Sequence, residues 1–255
     1  MSHALFDLNQ KRVLVTGSSR GLGLAIARGL AEAGAHVILN GTDKDRLRQT
    51  QEGLQQEGHA CAAYACDVRD EEQVHQTVSA IARDVGPIDV LVNNVGIHRR
   101  APLLEQDPAD WDAVLDVNLT AAWRVSRIVA PGMIERRAGK IVNIASLQSF
   151  AARPTTGSYA AAKGGLVMLT KAMAVEWGPY NVQANAIAPG YFHSDLTAPL
   201  AENPDFDAWV KMRSPANRWG EPHELVGPAV FLASDASSYV NGQVICVDGG
   251  WMANC

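Results

Sequence analysis

A tyrosine and a lysine four residues apart, Tyr159 and Lys163, form the pair in this sequence best spaced for proton chemistry. If residues 157–177 form a helix, that spacing puts the phenol and the ammonium on one face, one turn apart. A free phenol titrates near 10, so a base working at neutral pH needs its pKa lowered by roughly 3 units, about 4 kcal/mol, and a fixed cation beside it has the right sign. Ser146 lies just past the run Lys-Ile-Val-Asn-Ile-Ala at 140–145, which reads as a parallel strand whose carboxyl end faces a cleft. Its hydroxyl is placed to orient a substrate oxygen. Y-x-x-x-K spacing also occurs on solvent-facing helices, and a serine after a strand is often a cap, so the surrounding elements must carry the rest of the argument.

Those elements alternate. Residues 12–16 (Arg-Val-Leu-Val-Thr) read as a buried strand that runs into Gly17-Ser-Ser-Arg-Gly21-Leu-Gly23 and then a helix with Leu22, Ile26, Leu30 and Ala33 at helical spacing, stopped by Gly34. Strand, glycine turn and helix are the parts of a phosphate cradle: bare glycines admit a pyrophosphate to the backbone, and the helix N-terminus offers unpaired N–H groups. Further strands read at 35–40, 60–66, 88–93, 140–145, 181–188 and 243–247, with helical patterns at 43–57, 70–85, 111–136 and 159–175. This order predicts an α/β fold, a single doubly wound Rossmann-like domain over residues 1–255, with helices on both faces of a parallel sheet. Ligands of such a sheet gather at the strands' carboxyl ends, where Gly17, Asn40, Asp67, Asn93 to Gly96, Ser146, Pro189 and Gly190 all fall. Residues 191–218, rich in Pro, Asp and aromatics, read as a lid. The broad apolar surfaces of the patterns at 111–136 and 159–175 fit paired helices at a subunit contact equally well as cover within one chain.

Composition narrows the chemistry. The chain has 255 residues, 47% of them hydrophobic, with 22 glycines and a formal charge of -5. An acidic chain without a basic tract is not a general nucleic-acid binder. The four cysteines, Cys61, Cys66, Cys246 and Cys255, have no C-x-x-C spacing and suggest free thiols in a reducing compartment. The first ten residues lack a basic start and apolar run, and no stretch of about eighteen apolar residues occurs, so neither an export signal nor a membrane span is expected and the cytoplasm is the default. The histidines show no metal-ligand spacing, and no metal is expected.

Taken in order, Thr16-Gly-Ser-Ser-Arg-Gly-Leu-Gly23, Asn93-Asn-Val-Gly96, Asn118, Ser146, Tyr159-x-x-x-Lys163 and Pro189-Gly190 resemble the short-chain dehydrogenase/reductases across nearly the whole chain. Val95 stands where that family usually has Ala. Within the family, Gly86-Pro-Ile-Asp-Val-Leu-Val-Asn-Asn, Gly96-Ile-His-Arg-Arg-Ala-Pro102, Ala188-Pro-Gly-Tyr-Phe192, Arg218-Trp-Gly220 and Val240-Asn-Gly-Gln-Val are similar to gluconate 5-dehydrogenases and related sugar-acid dehydrogenases. Phe150 and Val247-Asp-Gly-Gly-Trp251 look more like 2-keto-3-deoxygluconate-type or deoxygluconate 3-dehydrogenases, which leaves the oxidised carbon open. The resemblance implies hydride transfer between a nicotinamide and a secondary hydroxyl or ketone, with Tyr159 moving the proton, Ser146 holding the oxygen, Lys163 also binding the ribose, and Asn118 positioning a water behind Lys163. It implies a cofactor site of Gly17, Ser19, Arg20, Gly21, Leu22, Gly23, Asn40, Asp67, Val68, Asn94, Val95, Gly96, Tyr159, Lys163, Pro189, Gly190, Phe192 and Ser194. It also implies a homotetramer.

Cofactor choice turns on the end of the second strand. An acid there would hold a ribose 2'-hydroxyl, but the chain has Asn40-Gly41-Thr42, and Arg20 in the glycine turn can pair with a 2'-phosphate. NADP is favoured; Asp43 turned inward would favour NAD instead. On the substrate side, Arg99 or Arg100 is suited to grip the carboxylate of a sugar acid, with Ser146, Gln148, Tyr159, Tyr191 and Arg213 or Arg218 adding polar contacts. The expected reaction is gluconate to 5-keto-D-gluconate, reversibly. The competing readings are a 2-deoxy-gluconate or other ketogluconate 3-dehydrogenase, a 3-oxoacyl carrier-protein reductase, and a nucleotide-binding redox sensor without turnover.

Overall fold

Seven short aliphatic runs pair into one parallel sheet in the order β3-β2-β1-β4-β5-β6-β7. The computed structural model describes residues 4–195 and 197–254. The strands are β1 (Arg12–Val15), β2 (His36–Gly41), β3 (Cys61–Ala65), β4 (Val90–Asn93), β5 (Gly139–Ile144), β6 (Val182–Pro189) and β7 (Val244–Val247). They alternate with α1 (Gly21–Glu32), α2 (Lys44–Gln56), α3 (Glu71–Asp84), α4 (Pro108–Leu115), α5 (Ala121–Arg136), α6 (Gly157–Trp177), α7 (Ala198–Ala201), α8 (Pro204–Arg213) and α9 (Val226–Ala233). Successive strand residues face opposite sides, and both sides are covered: Val13 and Val15 pack with Ile26 and Leu30 of α1, whereas Leu14 packs with Val125 and Met133 of α5. All eight residues of β6 are buried. The strand order reverses between β1 and β4, and the crevice at that reversal is where a doubly wound sheet takes its ligand.

Two departures from the sequence-based expectation matter for the site. The helix expected over 111–136 is broken: α4 gives way to a π-helical turn, Asp116–Thr120, before α5 begins. The cause is visible at Asn118, whose Nδ2 donates to the carbonyls of Val114 and Ile97 while its Oδ1 accepts from the Ile97 N–H. The extra residue in the turn points the amide inward, a use to which π turns are often put. The segment 191–218 is also more regular than its pattern suggests. It carries α7 and α8, the latter capped by Asn203 accepting from the Asp205 and Phe206 N–H groups.

A buried polar ladder locks the elements that carry the chemistry. Asn93 of β4 donates to Asn143 of β5 (2.8 Å) and to Ser126 of α5 (2.9 Å). Asn143 donates in turn to Thr170 of α6 (2.8 Å). Asn143 therefore ties α6 to the sheet and Asn93 ties α5 to it, and losing either donor's partner would cost about 1–3 kcal/mol.

Candidate active site

Helix α6 begins at Gly157, so Tyr159 and Lys163 lie one turn apart on the face turned to the carboxyl ends of β4 and β5. Lys163 is buried and its Nζ donates to the carbonyl of Ile144, the last residue of β5, at 2.7 Å. The same Nζ lies 5.8 Å from the centre of the Tyr159 ring. Ser146 follows two residues after Ile144, and its Oγ accepts from the Gln148 N–H (3.1 Å). A Cβ placed on Gly96 would meet Asn118 Oδ1 at 2.8 Å and Lys163 Nζ at 3.8 Å, so only a bare backbone lets these groups converge.

Burial governs the electrostatics of the pair. Burial raises the Tyr159 phenol above its usual value, as does Tyr191, while a hydrogen bond with Ser146 and the charge of Arg100 pull it back. Burial also lowers the Lys163 ammonium to about 8. The lysine is held by the Ile144 carbonyl and has lost its own hydration. A protonated phenol at neutral pH is set to donate a proton.

Beside this centre runs a cleft of about 690 Å³. It is lined by every residue expected to hold a dinucleotide, from Gly17 through Ser194. Gly17 and Gly21 adopt φ of +63° and +55°, conformations that side chains disfavour. Asn94 Nδ2 holds the turn by donating to the carbonyls of Thr16 and Gly17, both at 3.0 Å. No side chain caps the first turn of α1, which leaves its N–H groups for an anion. At the far end, Asn40 Nδ2 ties down the carbonyls of Tyr64 and Cys66. Asp43 caps α2 by accepting from the Arg46 N–H and does not line the cleft, and Asp67 is engaged by Arg69. Arg20 faces the cleft, 3.7 Å from Asp195. A dinucleotide fits these residues, and the two described acids that line the cleft, Asp67 and Asp195, each face an arginine, Arg69 and Arg20.

On the substrate side the two candidate arginines separate. Arg99 leans on Asp110 (3.6 Å), whereas Arg100 makes no ion pair among the described residues and acts electrostatically on Tyr159 and His98. Its companion is Arg153, which the sequence reading passed over. Arg153 donates to the Tyr191 hydroxyl (2.7 Å) and lies over the rings of Trp209 (4.4 Å) and Phe206 (4.6 Å). It too has no acidic partner among the described residues, and it lowers the pKa of Arg100, as a like charge must. Of the weaker candidates, Arg218 is taken by Glu224 in a two-pronged pair, and Arg213 lies over Trp251. Gln148 is buried with its Oε1 unpartnered, and Tyr191 sits among Phe206, Trp209, Trp219 and Trp251. Among the described residues no cluster of metal-ligating side chains occurs, and no helix is long and apolar enough to cross a membrane.

Residues 17–252 match the family model described as enoyl-(acyl carrier protein) reductase, adh_short_C2. The gluconate 5-dehydrogenase of Gluconobacter oxydans is 51% identical over 98% of this chain and 98% of its own. The 2-dehydro-3-deoxy-D-gluconate 5-dehydrogenase of Formosa agariphila is 47% identical over 99% and 97%. A crystal structure of gluconate 5-dehydrogenase from Burkholderia cenocepacia, in complex with NADP and tartrate, superposes with a TM-score of 0.97 at 46% identity over 99% of both chains.

The chain belongs to the short-chain dehydrogenase/reductase family.

As such it is an NAD(P)-dependent oxidoreductase, and the parallel seven-stranded sheet read from the strand order is that family's fold. For this dehydrogenase/reductase the sequence pointed to the proton-transfer pair and the glycine turn, but not to Arg153 or His98. Arg153 carries only a weak linear signal, its place between Ser146 and Tyr159. What marks it in space is the aromatic box closed by α8, more than fifty residues later in the chain.

Proposed function

We propose that this enzyme interconverts D-gluconate and 5-keto-D-gluconate with NADP(H). The observation that carries the substrate class is the pair Arg100 and Arg153: two guanidiniums beside the proton-transfer centre with no acid to neutralise them among the described residues. Such a pair attracts an anion, and a carboxylate meets a guanidinium with two hydrogen bonds. Close relatives act on sugar acids, one of them crystallised with NADP and tartrate.

In the reductive direction Ser146 donates to the substrate ketone and Tyr159 delivers the proton as the oxygen gains charge. The bound nicotinamide supplies the hydride. Lys163, held by the Ile144 carbonyl, would bind the ribose hydroxyls, and Asn118, held by Ile97 and Val114, would order a water next to it. The neutral phenol favours reduction at pH 7, and oxidation requires it to ionise, so oxidation gains as pH rises. Arg20 and the absence of a free acid beside Asn40 favour NADP over NAD. The segment 191–218 closes as a lid through the Tyr191, Phe206 and Trp209 cluster on Arg153.

We further infer a homotetramer, with the exposed Trp123, Met168 and Val175 of α5 and α6 covered in the assembly, and a cytoplasmic site of action matching the free thiols of Cys61, Cys66 and Cys246. Light scattering at about four times the chain's mass, and cell fractionation, check these two points.

The deciding experiment offers purified protein D-gluconate with NADP or NAD and identifies the keto-acid formed. Reduced NADP with a 5-keto product, at kcat/KM at least about tenfold above that with NAD, is expected. Oxidation at another carbon moves the assignment to the 3-dehydrogenases. No turnover of sugar acids together with NADPH consumption on an acetoacetyl thioester would replace it by the acyl reductase, and nucleotide binding without any turnover by the redox sensor.

A further inference from the structure

The imidazole of His98 stacks on the ring of Tyr159, with ring centres 4.6 Å apart and planes within 13°. Both of its nitrogens are buried, and neither has a hydrogen-bond partner among the described residues. It is the only described side chain that leaves two buried polar atoms unpartnered; Asn40, Asn93, Gln106 and Gln148 each leave one. Burial, with the charges of Arg100 and Arg153, lowers its pKa to about 4, so the ring is neutral in the working range of pH. A neutral imidazole has one donor and one acceptor, and leaving both unmade costs about 1–3 kcal/mol each. A single-chain fold has no use for that cost where an apolar ring would stack as well. The chemical partner that answers both needs is a hydroxyl, which also donates and accepts.

We propose that His98 is a specificity-determining residue that hydrogen-bonds a substrate hydroxyl on a carbon near the reacting one, so that the enzyme selects a polyhydroxylated chain. The proposal rests on the sugar-acid reading above and deepens it: the arginines read the carboxylate, Tyr159 and Ser146 read the reacting oxygen, and His98 reads the chain between them. The stacking supports this placement, because a ring lying flat against the phenol borders the space where the reacting carbon's neighbours must sit. The nitrogens are shielded from solvent, so the subsite is closed around them and an entering hydroxyl must open it. A site built to hydrogen-bond a hydroxyl discriminates strongly against analogues that lack it, because the buried groups are then left unpaired.

The test compares NADPH-dependent reduction of 5-keto-D-gluconate with that of 5-oxohexanoate, which keeps the carboxylate-to-ketone spacing and lacks every hydroxyl. Wild type, His98→Phe and His98→Asn are measured, with NADPH affinity and thermal melting followed in parallel; His98→Leu replaces the Phe variant if that one does not fold. The ratio of kcat/KM for the polyol over the bare keto-acid is expected to fall about 30-fold in His98→Phe and to recover to within about fivefold in His98→Asn, which retains a donor and an acceptor. Where 5-oxohexanoate is too slow to measure, the same 30-fold loss and recovery is read on 5-keto-D-gluconate alone. A wild-type ratio in His98→Phe, an equal loss on both ketones, or a full-sized loss in His98→Asn overturns the proposal while leaving sugar-acid reduction in place. Wild-type protein that reduces acetoacetyl thioester and no sugar-acid ketone overturns both readings together.

Discussion

Two lysines are buried in this protein, at opposite ends of β5, and their ammonium groups titrate alike. Lys140, the second residue of the strand, and Lys163, which reaches the carbonyl of its last residue, are both lowered to about 8, chiefly by burial. Their partners differ. Lys140 Nζ donates to Gln183 Oε1 (3.1 Å) and to Ser237 Oγ (3.0 Å), joining β5, β6 and the turn after α9. Lys163 has one hydrogen bond, to Ile144, and the rest of its ammonium faces the cleft. A perturbed pKa alone therefore does not mark a functional lysine; the unspent donors do. The same contrast sorts the arginines, since Arg218 is consumed by Glu224 while Arg100 and Arg153 have no acidic partner among the described residues.

The comparison breaks first on substitution of the lysines by methionine. Lys163→Met is expected to lower turnover by about 10³-fold, with the melting temperature unchanged or raised, because the variant no longer buries a charge. Steady-state kinetics and calorimetry check this, and a mild effect on turnover would erase the distinction between the two lysines. Among the arginines, Arg153→Ala should raise KM for 5-keto-D-gluconate about 10- to 100-fold and spare NADPH affinity, whereas Arg218→Ala should cost mainly stability.

The pH dependence sharpens the same point. Each lysine has a folded-state pKa below its unfolded value of about 10.5, so between about 8 and 10.5 the unfolded chain holds more protons and stability conferred by these groups rises with pH. Denaturant melts from pH 7 to 10 should show that rise flattened in Lys163→Met and, separately, in Lys140→Met. Reductive kcat/KM should decline above about pH 8 as Lys163 loses its proton, in wild type and Lys140→Met alike. The smallest effect is expected for Lys140→Met itself: turnover within about threefold of wild type, and a stability change of about 1–2 kcal/mol as Gln183 and Ser237 lose a partner.

Much of this was legible in the linear chain because its determinants are local. Most of the strands are short apolar runs, the cradle is a glycine turn between a strand and a helix, and Tyr159 and Lys163 are related by one helical turn. What was not legible depends on contacts between distant segments. Arg99 and Arg100 are adjacent in sequence and indistinguishable there; Asp110, on α4, takes the first and frees the second. Arg153 gains its meaning only when Phe206 and Trp209 close over it. The long helical pattern over 111–136 concealed the π turn, since apolar spacing records which face is buried and not a single inserted residue. Helical spacing also carries no information about burial, which is the largest influence on the Tyr159 phenol and raises it.

The central claim is that the proton crosses through the Tyr159 hydroxyl. Purified Tyr159→Phe, titrated with NADPH by fluorescence and then given 5-keto-D-gluconate, tests it most directly. The expected result is NADPH affinity within about threefold of wild type and a loss of turnover of about 10³-fold. Turnover within tenfold of wild type would contradict the account.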